Sequence, residues 1–195
     1  MQFNISPWTP SILLGILLLS AIWSDVKSRV IPNSIVFLGA VIGIALHTAL
    51  PMGSGLFNDP FGSLGISNSI AGLCVGLIIL LPLYALGVMG AGDVKLLSMI
   101  GAFLGPQAII KVALLSFIAG GLFGIIVALW KGVLQQVFKN IFNISMQLFM
   151  QTQLGERLHI NAPAVTNVKL AYAIAISTGT VLYIYLSHQR FFNFI

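Results

Sequence analysis

Residues 68–104 read NSIAGLCVGLIILLPLYALGVMGAGDVKLLSMIGAFL. From Asn68 to Met89 there is no acid and no base, over about the ~20 residues that cross the hydrocarbon core of a bilayer. Gly90-Ala91-Gly92-Asp93 interrupts this run, and a short second run, Val94–Leu104, follows before Gly105-Pro106. Glycine and proline punctuate helices. The stretch therefore predicts two apolar helices with a carboxylate at their joint. The second run is 11 residues long, or ~17 Å of helix, less than the ~30 Å core. Asp93 is accordingly expected below the membrane surface, or beside a thinned or wet region. A carboxylate at membrane depth costs ~2.5–3.5 kcal/mol on insertion scales, which marks it for function.

The same pattern recurs along the chain. Further apolar runs cover about 10–24, 34–50, 108–130 and 170–186, with 68–89 and 94–104 making six. Of the 195 residues, 58% are apolar and only 7% charged, where a soluble domain carries roughly 25% charged residues. The expected fold is an all-α membrane protein, a polytopic bundle of about six transmembrane helices in one domain over 1–195. Six spans leave no room for a sizeable soluble domain. No Lys or Arg precedes the first run and no A-x-A site follows it, so that run reads as a retained helix rather than a signal peptide.

Between the last two runs, 131–169 differs. Gln135, Lys139, Asn143, Gln147 and Gln151 recur every four residues, while Val137, Phe138, Ile141, Phe142, Leu148 and Phe149 fill another face. This predicts an amphipathic helix. It fits either an interfacial helix lying against membrane lipid or a cytoplasmic helix packed on the bundle. Leu154–Asn167 reads as an irregular connector, and Pro51–Ser67, rich in Gly, Pro, Ser and Asn, as a loop. Gly39/Gly43, Gly72/Gly76 and Gly120/Gly124 carry the spacing that lets helices pack closely. No internal repeat is evident.

The net charge of +5 comes without a basic cluster interleaved with aromatics, so nucleic acid is not an expected partner. The basic residues orient the chain instead. With the N-terminus outside, Lys27, Arg29, Lys95, Lys131, Lys139, Arg157 and Lys169 fall on the cytoplasmic side, and only Lys111 and Arg190 outside, a clear positive-inside bias.

Four acids exist: Asp25, Asp59, Asp93 and Glu156. Asp25 ends the first run and Asp93 begins the fourth. Two whole spans separate them, so both carboxylates reach the same side at similar depth. Each alone fits a helix cap or a partner for Lys27, Arg29 or Lys95. Together they fit chemistry. Repulsion and low dielectric raise one pKa, and the pair shares a proton. One group then serves as base toward water and the other as acid toward a peptide carbonyl. That chemistry requires no metal or other cofactor, and His47, His159 and His188 are scattered without metal-ligand spacing. Cys74 is the single cysteine, inside an apolar run where it serves as a small hydrophobe. No G-x-S-x-G occurs. Ser98, three residues after Lys95, forms a conceivable Ser/Lys pair. Paired acids with glycine breaks also suit a proton or ion pathway, although these acids lie at helix ends rather than mid-span. Gly90 and Gly92 fit close backbone approach or unusual dihedrals beside Asp93, and equally a plain tight turn.

Gly90-Ala91-Gly92-Asp93 resembles the GxGD motif of intramembrane aspartic proteases. Asp25-Val26-Lys27-Ser28-Arg29-Val30-Ile31-Pro32-Asn33, after the first helix, resembles the D-x-(K/R)-x-x-x-I-P-N element of type IV prepilin peptidases. Lys95, two places after the second aspartate, is also similar to that family. The resemblance implies an aspartic endopeptidase of the bacterial inner membrane. It implies prepilin or pseudopilin precursors as substrates, cut at the cytoplasmic face after the glycine that ends a short basic leader. It implies Asp25 and Asp93 as the catalytic pair, with Lys27, Arg29, Pro32, Asn33, Gly90, Gly92 and Lys95 shaping the site. Larger members carry paired cysteines in an insert after the first helix and methylate the new N-terminus. This chain resembles the short, tight-adherence type, for which methylation is not implied. An inactive assembly factor of a pilus or secretion complex is the further alternative, disfavoured by the presence of both aspartates. Near the last helix, Leu170-Ala171-Tyr172-Ala173 partly matches the Pro-Tyr-Gly run frequent in the family. Ser24 stands where presenilin-like proteases place Tyr.

Overall fold

The fold is that of a computed structural model of the chain, which describes Ser6, residues 8–132, seven positions between 135 and 146, and residues 171–188. Among these residues there are six helices: α1 (Trp8–Ser28), α2 (Asn33–Ala49), α3 (Ile66–Ala85), α4 (Ala91–Leu104), α5 (Pro106–Trp130) and α6 (Tyr172–His188). The expected all-α membrane architecture is what the chain forms. α1, α3 and α5 are long and apolar enough to cross a bilayer, and α2 is a shorter apolar helix.

The chain divides into two compact units. One comprises Met1–Gly120 and Ala171–Ile195, the other Gly121–Leu170. In the second, α5 runs to Trp130, and Gly132 at φ 66° stops it, a conformation natural to glycine after a helix end. Gln135, Lys139, Asn140, Phe142, Asn143, Ser145 and Met146 are helical. The rest of the expected amphipathic segment and connector lies outside the described residues.

The first unit is built around α4, which packs on α1, α2, α3 and α6 and most extensively on α3. From Leu96 to Leu104 every residue of α4 is buried, as befits a helix apolar on all sides. α4 thus has protein on the sides where α1, α2, α3 and α6 pack on it. Outward-facing apolar side chains such as Ile12, Ile16 and Leu19 on α1, or Phe37 and Val41 on α2, stay exposed. Such a surface suits lipid rather than water.

Small residues permit the close packing. A methyl on Gly72 would land on the Gly101 carbonyl, and one on Gly76 would come within 2.7 Å of the Leu97 carbonyl oxygen. Ser69 and Ser98 cross the same α3–α4 seam, donating to the Ala102 and Leu73 carbonyls at 2.7 Å each. On α2, Gly39 lies against Met99, and Gly43 against Ala102 and Phe103. The third pair behaves differently. Gly120 abuts the Tyr172 ring, but nothing described lies within 4 Å of a methyl on Gly124, so only its first member packs closely.

Two helix ends differ from the apolar-run boundaries. α1 continues past residue 24 to Ser28, which places Asp25 inside the helix. α3 ends at Ala85 rather than near Met89, because Gly87 takes φ 70°. The Val88 N–H then donates to the Leu83 carbonyl and the Gly87 N–H to that of Tyr84, at 2.9 Å each. That bonding closes the helix and turns residues 86–89 into the approach to Asp93. The loop 51–65 is pinned by His47: the Leu64 N–H donates to Nδ1 at 3.1 Å, and Nε2 lies 3.0 Å from the Phe103 carbonyl oxygen.

Candidate active site

Asp25 and Asp93 line one cavity of about 280 Å³. The chain brings them there from separate elements. Asp25 sits one turn before the end of α1 and is only 7% exposed. Its Oδ2 accepts the Ala173 N–H, in the first turn of α6, at 3.2 Å. After Ser28 the chain turns sharply at Arg29, whose φ of 56° is uncommon for a side-chain-bearing residue. Three bonds hold the turn: the Arg29 N–H donates to the Asp25 carbonyl at 2.9 Å, and the Ser24 and Ser28 hydroxyls lie 2.8 and 3.3 Å from the Val30 carbonyl oxygen.

The turn drives Ile31 inward to 6% exposure, against Gly92. A methyl on Gly92 would meet the Ile31 Cβ at 3.2 Å, so glycine there allows α4 to begin beside the 29–32 turn. Gly90 has a different role. Its φ of −78° and ψ of 151° are ordinary extended backbone, which corrects the expectation of unusual dihedrals. It serves instead by keeping the cavity wall bare and by donating its N–H to Asp93 Oδ2 at 3.3 Å. Asp93, in the first turn of α4, precedes the buried run that follows. Burial chiefly, and the Asp25 charge next, push its carboxyl up to about 6, against the opposing Gly90 N–H. The two acids are thus electrostatically coupled.

Arg29, Asn33, Gly90, Gly92 and Lys95 line the same cavity, together with Val30, Ile31 and Ala91. Lys95 Nζ donates to Asn33 Oδ1 at 2.9 Å, tying the start of α4 to the start of α2. Pro32 takes the N-cap position of α2 and so acts on the backbone rather than in the cavity wall. Lys27 is exposed at the end of α1 and stands outside the cavity lining. The Ser/Lys alternative is not assembled, since Ser98 is spent on the Leu73 carbonyl and Lys95 on Asn33.

The capping role foreseen for the acids is real. Asp93 caps its own helix and Asp25 caps α6. Each bond engages Oδ2, and capping does not remove either group from the cavity. Tyr172 adds a neighbour that spacing did not single out, within electrostatic reach of Asp93. Ala173, like Tyr172, was quoted only within the partial family match and not among the site residues, because an alanine contributes here only through its backbone.

The model of the type IV leader peptidase family matches residues 12–125, a span that holds both aspartates. A prepilin leader peptidase/N-methyltransferase of Myxococcus xanthus (strain DK1622) is 30% identical over 136 residues, which covers 64% of this chain and 37% of that protein. The chain thus spans well under half of that relative. No solved structure matches.

Proposed function

The chain belongs to the type IV leader peptidase family, and from that premise we propose that it is an intramembrane aspartic endopeptidase with Asp25 and Asp93 as its catalytic pair. Its substrates are prepilin-like precursors, whose short basic leader it removes at the cytoplasmic face of the bacterial inner membrane. The observation that carries this reading is the meeting of two carboxylates, from α1 and α4, in one cavity of about 280 Å³.

The chemistry follows from a shared proton. In the reactive form one carboxyl holds a proton while the other is ionised. The ionised group takes a proton from water as the water oxygen bonds to the scissile carbonyl carbon. The protonated group gives its proton to the carbonyl oxygen, forming a gem-diol. The C–N bond then breaks, the leaving amine takes the proton held by the first carboxyl, and the second recovers a proton from the diol. One water is consumed, and both aspartates end as they began. The bare Gly90–Gly92 backbone leaves one side of the cavity open to an extended peptide. The Lys95–Asn33 bond holds the opposing helix starts together.

The test is cleavage of a purified precursor by the chain in detergent. Processing that resists serine reagents and chelators, and that is lost in Asp25→Asn and in Asp93→Asn, supports the pair. Sustained cleavage in either variant refutes it. Proton or ion flux in liposomes without any cleavage would reassign the cavity to transport.

A further inference from the structure

α5 carries Gly120, Gly121 and Gly124. Among the described residues, nothing lies within 4 Å of a methyl on Gly121 or Gly124. One on Gly120 would come within 2.7 Å of Tyr172 Cε2 and 3.1 Å of its Oη. Glycine inside a helix is unfavourable relative to alanine. Here it leaves a notch on α5 that the Tyr172 ring enters. A second contact lies further along the same seam. A methyl on Gly179 would land on Ser116, whose hydroxyl lies 2.7 Å from the Val112 carbonyl oxygen and 3.5 Å from that of Ile176. α6 is thus held against α5 at two points, and one of them is its first residue. The next residue, Ala173, is fully buried, and its N–H donates to Asp25 Oδ2 at 3.2 Å. One planar peptide unit joins Tyr172 to Ala173, so the ring's seat constrains where that N–H can lie. A line of contacts therefore runs from Gly120 through the ring and one peptide unit to Asp25.

We propose that Tyr172, seated in the Gly120 notch, is a positioning residue for the reaction: its ring fixes the first turn of α6 against α5, and that turn fixes the Asp25 side chain opposite Asp93. This rests on the peptidase reading above and adds to it a part for α5, which contributes no side chain to the wall of the cavity. The ring acts by its bulk. A larger residue at 120 pushes it out, and a smaller side chain at 172 leaves the notch empty. Either change lets the first turn of α6 shift. Catalysis needs its groups placed to well under 1 Å, so a small shift of that turn matters at Asp25.

The whole chain in detergent is assayed for precursor cleavage, with kcat, KM and Tm read for each variant. Gly120→Ala should lower kcat about 10–100-fold and leave KM in place. Gly121→Ala, one residue along and with nothing described within 4 Å, should leave both constants unchanged. Tyr172→Leu should lower kcat as Gly120→Ala does, and adding Gly120→Ala to it should cost little more, since the ring it displaces is gone. Tyr172→Phe keeps the ring and should keep kcat near that of the unsubstituted chain. Four results overturn the proposal while leaving the peptidase intact: an unchanged kcat in folded Gly120→Ala; a raised KM with kcat unchanged; a lowered Tm in Tyr172→Leu with kcat per folded enzyme unchanged; or a loss in Tyr172→Phe equal to that in Tyr172→Leu, which would assign the role to the hydroxyl. If Gly120→Ala fails to fold, Tyr172→Leu against Tyr172→Phe decides. Absence of cleavage by the unsubstituted chain instead overturns the peptidase reading, and this role with it.

Discussion

Asp93→Asn should make the protein more stable as it destroys activity, and the gain should depend on pH. Burial and the Asp25 charge hold the Asp93 carboxyl at about 6, against an ordinary 3.8. At 1.36 kcal/mol per pH unit, the gap corresponds to about 3 kcal/mol of cost to the folded state when the group is ionised. Solvent still reaches this half-buried side chain and screens part of that, leaving about 1–2 kcal/mol. Below about pH 4 the carboxyl is protonated both folded and unfolded, and there is no cost. Between about 4 and 6 the unfolded chain releases its proton first and the cost grows. Above about 6 it is complete. An asparagine amide oxygen can still accept the Gly90 N–H, so the cap survives. Thermal unfolding in detergent should therefore show Asp93→Asn above the unsubstituted protein by about 2–8 °C at pH 7.5, with no difference at pH 4. A lower Tm at pH 7.5, or an equal gain at both pH values, would refute the electrostatic account of this site.

Packing offers a cleaner pair of substitutions. Gly72→Ala puts a methyl on the Gly101 carbonyl and should destabilise the fold by about 1–3 kcal/mol through forced separation of α3 and α4. Among the described residues Gly124→Ala meets nothing within 4 Å and should leave stability level or raise it by up to about 1 kcal/mol; equal Tm values for the two would contradict the packing described. Lys95→Met removes the bond to Asn33. It should cost under about 1 kcal/mol of stability, yet lower kcat about 10–100-fold by loosening the opposing helix starts. Unaltered kcat would show that this bond does not hold the cavity in shape.

Much of this was legible from residue order alone. Long apolar runs with at most one charge specify helices in lipid regardless of how they pack, so α1, α3 and α5 could be read directly. Both aspartates stood out because so few acids exist and each interrupts an apolar run. What could not be read depends on contacts between distant segments. The length of α4 says nothing of the four helices that pack on it. Asp25 in α1 accepts the N–H of Ala173, 148 residues later, and no local pattern encodes that contact. The end of α3 was overrun for a simpler reason: Leu86, Val88 and Met89 extend the apolar run past Gly87, where the backbone turns to a positive φ. Gly120 and Gly124 share a spacing, but among the described residues only Gly120 meets a neighbour, Tyr172. Spacing selects a helix face and cannot say how far along that face a partner extends.

The most direct measurement is co-expression of the chain with a panel of prepilin-like precursors, with the new N-terminus read by mass spectrometry. A single cut is expected after the glycine that ends the basic leader, absent in Asp25→Asn and in Asp93→Asn although both variants remain folded in the membrane. Precursors left uncut by folded, unsubstituted chain, or cleavage that survives loss of either aspartate, would contradict it.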